Sequence, residues 1–140
     1  MIDRETLKPG FEIPTISRPG DYQYWNRYAG VNYEFAGHHM DDEVAIHEGF
    51  EGAIGMGPFI TALIYAMLRE WIGEDTGEIL RVAMQSRRPW IRKRVLTEAG
   101  RVTEIIPEDG ALRIKLEIWA DNDLGERLII GDAVVRTPLQ

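Results

Sequence analysis

Three histidines, His38, His39 and His47, and 23 carboxylate side chains are the acid–base resources of this 140-residue chain, which contains no cysteine. In one short stretch Glu34 precedes His39 by five positions and Asp41 follows it by two. A carboxylate and an imidazole held in one segment can share a water molecule and withdraw a proton from it, because imidazole titrates at about 6.5 and a carboxylate neighbour fixes its tautomer. The same spacing equally suits a hydrogen-bonded pair with a structural role. It matches no standard zinc pattern, and the lack of cysteine removes thiolate ligands, thiol nucleophiles and disulfides together.

A second feature is the run from Gly49 to Pro58, with four glycines in nine positions ahead of a proline suited to a first helical turn. Helix N-termini carry unpaired N–H groups and the positive end of the dipole, so a carbonyl oxygen gaining negative charge can be held there. Pro58 has no N–H, which concentrates that role on Gly57. Tight turning is a sufficient alternative reason for the glycines, and the Gly-Lys-Ser/Thr ending of a phosphate loop is missing. A third feature is Arg87, Arg88, Arg92, Lys93 and Arg94, five of the 16 basic residues, in a stretch with no acidic residue from Ile79 to Thr97. Such a patch suits either a phosphorylated carrier such as coenzyme A or a solvated turn, and Trp90 beside it either stacks on an adenine or packs inside.

These groups need elements to position them. Residues 8 to 20 hold three prolines and two glycines and predict an extended, broken arm. Asp21 offers an N-cap to a helix that carries Tyr24, Trp25 and Tyr28 on an inward face and stops at Gly30; residues 31 to 40 read as a loop. Asp41, Asp42 and Glu43 then start a second short helix ending near Gly49. From Pro58 to Ile72 the apolar residues cover nearly the whole circumference of a helix stopped by Gly73, which predicts protein on most of its sides. After Gly77 the period becomes that of strands, at Ile79–Gln85, Val95–Ile106, Leu112–Ala120 and Leu128–Val135, with hairpin turns at 108–110 and 121–125. The pattern is α+β: one largely buried helix and an antiparallel sheet whose apolar face covers it.

Composition sets the outer bounds. Hydrophobic residues at 44% with 28% charged describe one globular domain rather than a disordered chain. The net charge of −7 opposes nucleic-acid binding. The apolar or neutral run that follows the glycines and Pro58, Phe59 to Leu68, is ten residues, about half of what crosses a bilayer. The charged beginning, MIDRETLKPG, lacks the apolar stretch of a secretory signal, so a cytoplasmic protein is expected.

Arg27-Tyr-Ala-Gly30, Glu34-Phe-x-x-x-His39-x-Asp41 with Ala45, Gly49-Phe50, and Gly57 opening a helix together resemble the MaoC-like acyl dehydratases, the hydratase-2 branch of the hotdog superfamily. The register holds from about Gly10 to Pro89. The resemblance implies a hotdog fold, an antiparallel sheet wrapped around one long helix, over a single domain of residues 1–140 with 1–20 as the arm. It implies reversible hydration of an enoyl thioester to a 3-hydroxyacyl thioester, as in fatty-acid or steroid side-chain metabolism, without metal or redox cofactor. Glu34 and His39 would handle the water and Gly57 N–H the thioester carbonyl. Asn32, Tyr33, Met56, Tyr65, Arg87, Arg88, Trp90, Arg92, Lys93 and Arg94 would face the substrate, an acyl-coenzyme A or carrier-protein thioester. A homodimer or a hetero-oligomer with another hotdog chain would complete the channel, with no nucleic-acid or membrane partner.

The chain departs from the family pattern at the site itself. Glu34 stands where the family has aspartate and is longer by one methylene, roughly 1.5 Å. Asn32-Tyr33 replace Ser-Gly, Ala36-Gly37 replace Asn-Pro, Met56 replaces a histidine, Tyr65 a small serine, and Arg92-Lys93-Arg94 a Pro-Gly-Asp turn. Two other readings follow: a subunit that binds acyl thioesters without chemistry of its own in a hetero-oligomeric dehydratase, and a thioesterase.

Overall fold

Alternation of apolar and polar residues makes strands of the second half of the chain, the last three of which form a meander. In the computed structural model, which describes residues 2, 5–73 and 76–139, the elements are β1 (Ile16–Pro19), α1 (Tyr22–Asn32), α2 (Gly37–Met40), α3 (Asp42–His47), α4 (Gly57–Ile72), β2 (Glu78–Ser86), β3 (Val95–Glu108), β4 (Ala111–Asn122) and β5 (Arg127–Pro138). Residues 1, 3 and 4 of the predicted arm lie outside the described residues. The five strands form one antiparallel sheet in the order β1-β3-β4-β5-β2. Gly110 turns the first hairpin at φ 67°, a left-handed conformation that costs glycine little. Asn122 turns the second, its side-chain oxygen accepting the N–H groups of Leu124 and Glu126 at 3.0 and 2.9 Å. Irregular pairings between Ile79 and Arg81, Val102 and Glu104, and Ala120 and Asp121 bend the strands so that the sheet curls.

Inside the curl lies α4. Its residues Ile60, Leu63, Ile64, Met67, Leu68, Trp71 and Ile72 are buried at helical spacing and share one core with Leu96, Val102, Ile114, Leu116, Ile118, Leu128 and Val135 of the strands. Each such side chain contributes about 1.5–3 kcal/mol when fully buried, so this stripe is the main reason the helix stays on the sheet. The structure departs from the expected all-round cover: Ala62, Tyr65, Ala66, Arg69 and Glu70 face outward, because a sheet curled from one side supplies only one wall.

Two other boundaries differ. The arm contains a strand, β1, paired with the start of β3. Residues 31–40 are not all loop. The α1 helix continues through Gly30 to Asn32, stopping where Tyr33 takes φ 56°, and α2 occupies 37–40. A single glycine costs a helix only about 1 kcal/mol, which the packing of Trp25 and Ala29 outweighs, while a four-residue helix is too short to display a period. No described helix is long and apolar enough to cross a membrane.

Glu98 on β3 points into the core, is 1% exposed, and neither carboxyl oxygen finds a hydrogen-bond partner among the described residues. Burial pushes its pKa up to about 9, with Arg18 only partly opposing the shift. The folded chain therefore holds a proton there that the unfolded chain releases at about 4.5, so stability falls as pH rises from about 4.5 to about 9. Thermal unfolding followed by circular dichroism at pH 5 and pH 8 is expected to show this loss in the native protein, and a much smaller loss in Glu98→Gln.

Candidate active site

The site is assembled where α1, α2 and the approach to α4 meet the segment after β2. Asp21 caps α1 by accepting the N–H of Tyr22 at 2.8 Å. That helix buries Trp25 against Trp90, ring centroids 5.4 Å apart, and sets Tyr28 on Phe59 at 4.9 Å. At its end the left-handed Tyr33 reverses the chain, and the N–H of Glu34 returns to Ala29 O at 3.2 Å. The carboxylate of Glu34 is thereby turned toward α2.

His39 on α2 is 7% exposed. Its Nδ1 lies 2.7 Å from Ile54 O; a carbonyl only accepts, so Nδ1 carries the proton and in the neutral ring Nε2 offers a lone pair. That Nε2 is 3.7 Å from Glu34 Oε1. The separation is too long for a direct hydrogen bond but lets a water oxygen sit about 2.8 Å from both. The Ile54 N–H also bonds His38 O at 3.0 Å, so residues 38–39 and residue 54 are tied twice.

The segment around Ile54 is itself fixed. Gly55 N–H donates to Trp90 O at 2.7 Å and Arg92 N–H to Ala53 O at 2.8 Å. A Cβ at Gly55 would come within 2.6 Å of the Trp90 ring, so only glycine lets the backbone lie on the indole. Asp42 adds a clamp: its carboxylate accepts the Ala53 N–H at 2.8 Å and the Arg92 guanidinium through Nε at 3.0 Å and through Nη2. The Arg92 hydrogen bonds first, then the Ala53 N–H, hold the Asp42 carboxyl well below the usual carboxylate range.

These ties leave a cleft of about 360 Å³ lined by His39, Ile54, Gly55, Gly57, Ile60 and the Ser86–Trp90 segment. Gly57 is the first residue of α4, its N–H makes no hydrogen bond among the described residues, and nothing lies within 4 Å of where a Cβ would stand. The cleft therefore combines a lone-pair nitrogen, with a carboxylate close to it, and an open helix N-terminus. Among the described residues no three His, Asp or Glu side chains converge as a metal site.

The basic run divides. Arg87 and Arg88 line the cleft. Arg92 is bound to Asp42 and lies over the Tyr22 ring at 4.6 Å. Lys93 takes φ 70° and gives its N–H to Gly20 O, and Arg94 pairs with Asp123 at 3.6 Å. Trp90 packs rather than stacking in the open: it is fully buried, and its indole N–H donates to Arg94 O at 2.9 Å. Met56 is buried as the residue capping α4, whereas Asn32 and Tyr33 are exposed beside Glu34. Tyr65 lies on the outer face of α4, in a groove separate from the cleft. Sequence reasoning did not single out Asp42 as a clamp or the Ile54 carbonyl as a tether. The first needs a partner 50 positions away, and the second is a backbone atom without a side-chain signal.

Asp42→Asn is expected to lower the melting temperature at pH 7. Because the native carboxyl titrates below its ordinary 3.8, the stability it contributes is present above that pH and lost below it. Melting curves of the two proteins should therefore draw together as pH falls below 3.8.

No protein-family model and no curated protein matches the sequence. Solved structures do match the fold. An (R)-hydratase from A. caviae involved in PHA biosynthesis superposes with a TM-score of 0.84 at 19% identity, over 96% of this chain and 99% of that one. A MaoC-like dehydratase from Rhodospirillum rubrum gives 0.81 at 18% identity, over 100% and 99%. A chain of the ChsH1–ChsH2 complex from Mycobacterium tuberculosis gives 0.79 at 21% identity, over 93% and 98%. The chain has the hotdog fold of the MaoC-like dehydratases and (R)-hydratases.

Proposed function

We propose that this protein adds water across, or removes it from, the 2,3 double bond of an enoyl thioester, interconverting it with the 3-hydroxyacyl thioester. The observation that carries this reading is the His39 ring, tied through Nδ1 to Ile54 O and turning Nε2 toward Glu34, beside a cleft that also opens onto Gly57. The match in fold to an (R)-hydratase and to a MaoC-like dehydratase supports it.

A water held between Glu34 and His39 loses a proton to one of them as its oxygen bonds to C3. The C2–C3 π electrons move toward the thioester, and negative charge gathers on its oxygen. Gly57 N–H, at the positive end of α4, stabilises that charge, a contribution commonly about 3 kcal/mol. The group that took the proton then delivers it to C2, which returns both side chains to their starting state, and the reverse sequence expels water. The proton moves from water to side chain to C2, so the reaction as written consumes no redox equivalent and calls on no metal. Glu34→Gln and His39→Ala are each expected to lower turnover of crotonyl and longer enoyl thioesters by about 100-fold or more, read as slower loss of enoyl absorbance. Release of free thiol instead would assign the cleft to thioester hydrolysis.

Arg87 and Arg88 suit the phosphates of a carrier such as coenzyme A. Arg87→Ala/Arg88→Ala is expected to raise KM for a coenzyme A thioester about tenfold at nearly constant kcat, the equivalent of about 1.4 kcal/mol. KM for the same acyl group on N-acetylcysteamine should not change.

A second reading is favoured by the apolar side chains beside the carboxylate. Val31, Tyr33 and Phe35 are 78%, 87% and 60% exposed around Glu34, and one structural match belongs to a two-chain complex. Here the chain pairs with a copy of itself or with another hotdog chain, and in the limiting case completes its partner's channel without chemistry of its own. Turnover that appears only after mixing with such a chain would select this form.

A further inference from the structure

The reaction proposed above leaves His38 unused, yet its side chain is held in place. His38 Nδ1 lies 2.8 Å from Glu48 Oε2, and because a carboxylate only accepts, the imidazole N–H donates. Glu48 closes α3, its own N–H bonded to Val44 O and Ala45 O at 3.0 and 3.1 Å, so the carboxylate is presented from a fixed helix end. The His38 ring meets the His39 ring edge to face, centroids 4.2 Å apart and planes at 75°.

Stability alone does not account for this arrangement. Both side chains are part exposed, at 29% and 43%, and such pairs contribute between 0 and about 1 kcal/mol. The geometry of His39 gives the better reason. Its hydrogen bond to Ile54 O fixes one nitrogen but leaves the ring able to tilt about that contact, and a tilt swings Nε2 away from Glu34. A rigid neighbour against the ring removes this freedom, provided the neighbour is itself anchored.

We propose that His38 and Glu48 are a positioning pair for His39: Glu48 anchors the His38 ring, and that ring holds His39 with Nδ1 on Ile54 O and Nε2 toward Glu34. The kinetic consequence rests on the hydration reading; the structural one does not.

Nitrogen-15 NMR of the histidine rings in the full chain reads the tether directly, through a slowly exchanging His39 Nδ1–H. That signal is expected to be lost or broadened in His38→Ala and Glu48→Ala and kept in Glu48→Gln, whose amide oxygen still accepts from His38. Glu48→Asp keeps the charge but withdraws it by about 1.5 Å; it is expected to behave as the alanine variants do and replaces them if they do not fold. On an enoyl thioester, Glu48→Ala is expected to lower kcat about 10- to 100-fold with KM changed less than about twofold, and Glu48→Gln to recover to within about threefold. His38→Ala/Glu48→Ala should be no slower than the slower single variant, because the two residues act as one unit. An unchanged His39 signal in the folded Ala or Asp variants, no rescue by Gln, or a double variant whose loss is the product of the single losses would overturn the pair. If the native protein turns over no thioester, the hydration reading fails and the NMR result alone decides the pairing.

Discussion

The carbonyl of Ile54 accepts the proton on His39 Nδ1 at 2.7 Å, while the amide of the same residue binds His38 O at 3.0 Å, and the orientation of the site depends on this double tie. One backbone unit sets both the tautomer of the imidazole and the place of the turn that bears it. For the tie to have a fixed direction, Ile54 must not move. It is held by pairing with residues 90–92, and that pairing requires the chain at Gly55 to lie against the face of Trp90. Trp90 is held in turn by Trp25, by Phe59 and by the Arg94 carbonyl. The orientation of the His39 ring is thus traced back to the packing of two tryptophans.

Two carboxyl groups, one part exposed and one buried, show how environment decides charge. Asp42 keeps its charge because a guanidinium and a backbone N–H bind it, and that charge joins α3 to the segment carrying Ile54. Glu98 finds no such donor and keeps a proton instead. The first strengthens a connection to the segment that carries Ile54; the second makes the core sensitive to alkali at a residue that does not line the cleft. The basic run obeys the same logic, since Arg92 neutralises Asp42, and of the two arginines at the cleft Arg88 also lies 3.6 Å from Glu126.

Much of this was legible from residue order. Alternation along Leu112, Ile114, Leu116 and Ile118 located a half-buried strand, and Asp21 and Asp41 marked helix starts because a side-chain oxygen must satisfy orphan N–H groups there. The spacing of Glu34, His39 and Gly57 identified groups that the fold then brings into one neighbourhood. Less was legible where structure is short or depends on distant partners. Neither the four-residue α2 nor the strand within the proline-rich arm carries a period of its own.

The sequence by itself determined the elements that local chemistry enforces: capped helices, glycine turns, alternating strands, and a strongly apolar α4, since each depends on residues within a few positions of one another. Only the tertiary structure decided which arginine is a clamp and which faces the cleft, that Trp90 is core, that the His38 ring meets that of His39 edge to face, and that the outer face of α4 stays uncovered in the single chain. Most of those outcomes depend on groups far apart in the chain meeting in space, as His38 meets Glu48, Arg92 meets Asp42 and Trp90 meets Trp25. No local preference encodes such meetings; the curled sheet and the helix it covers bring them about.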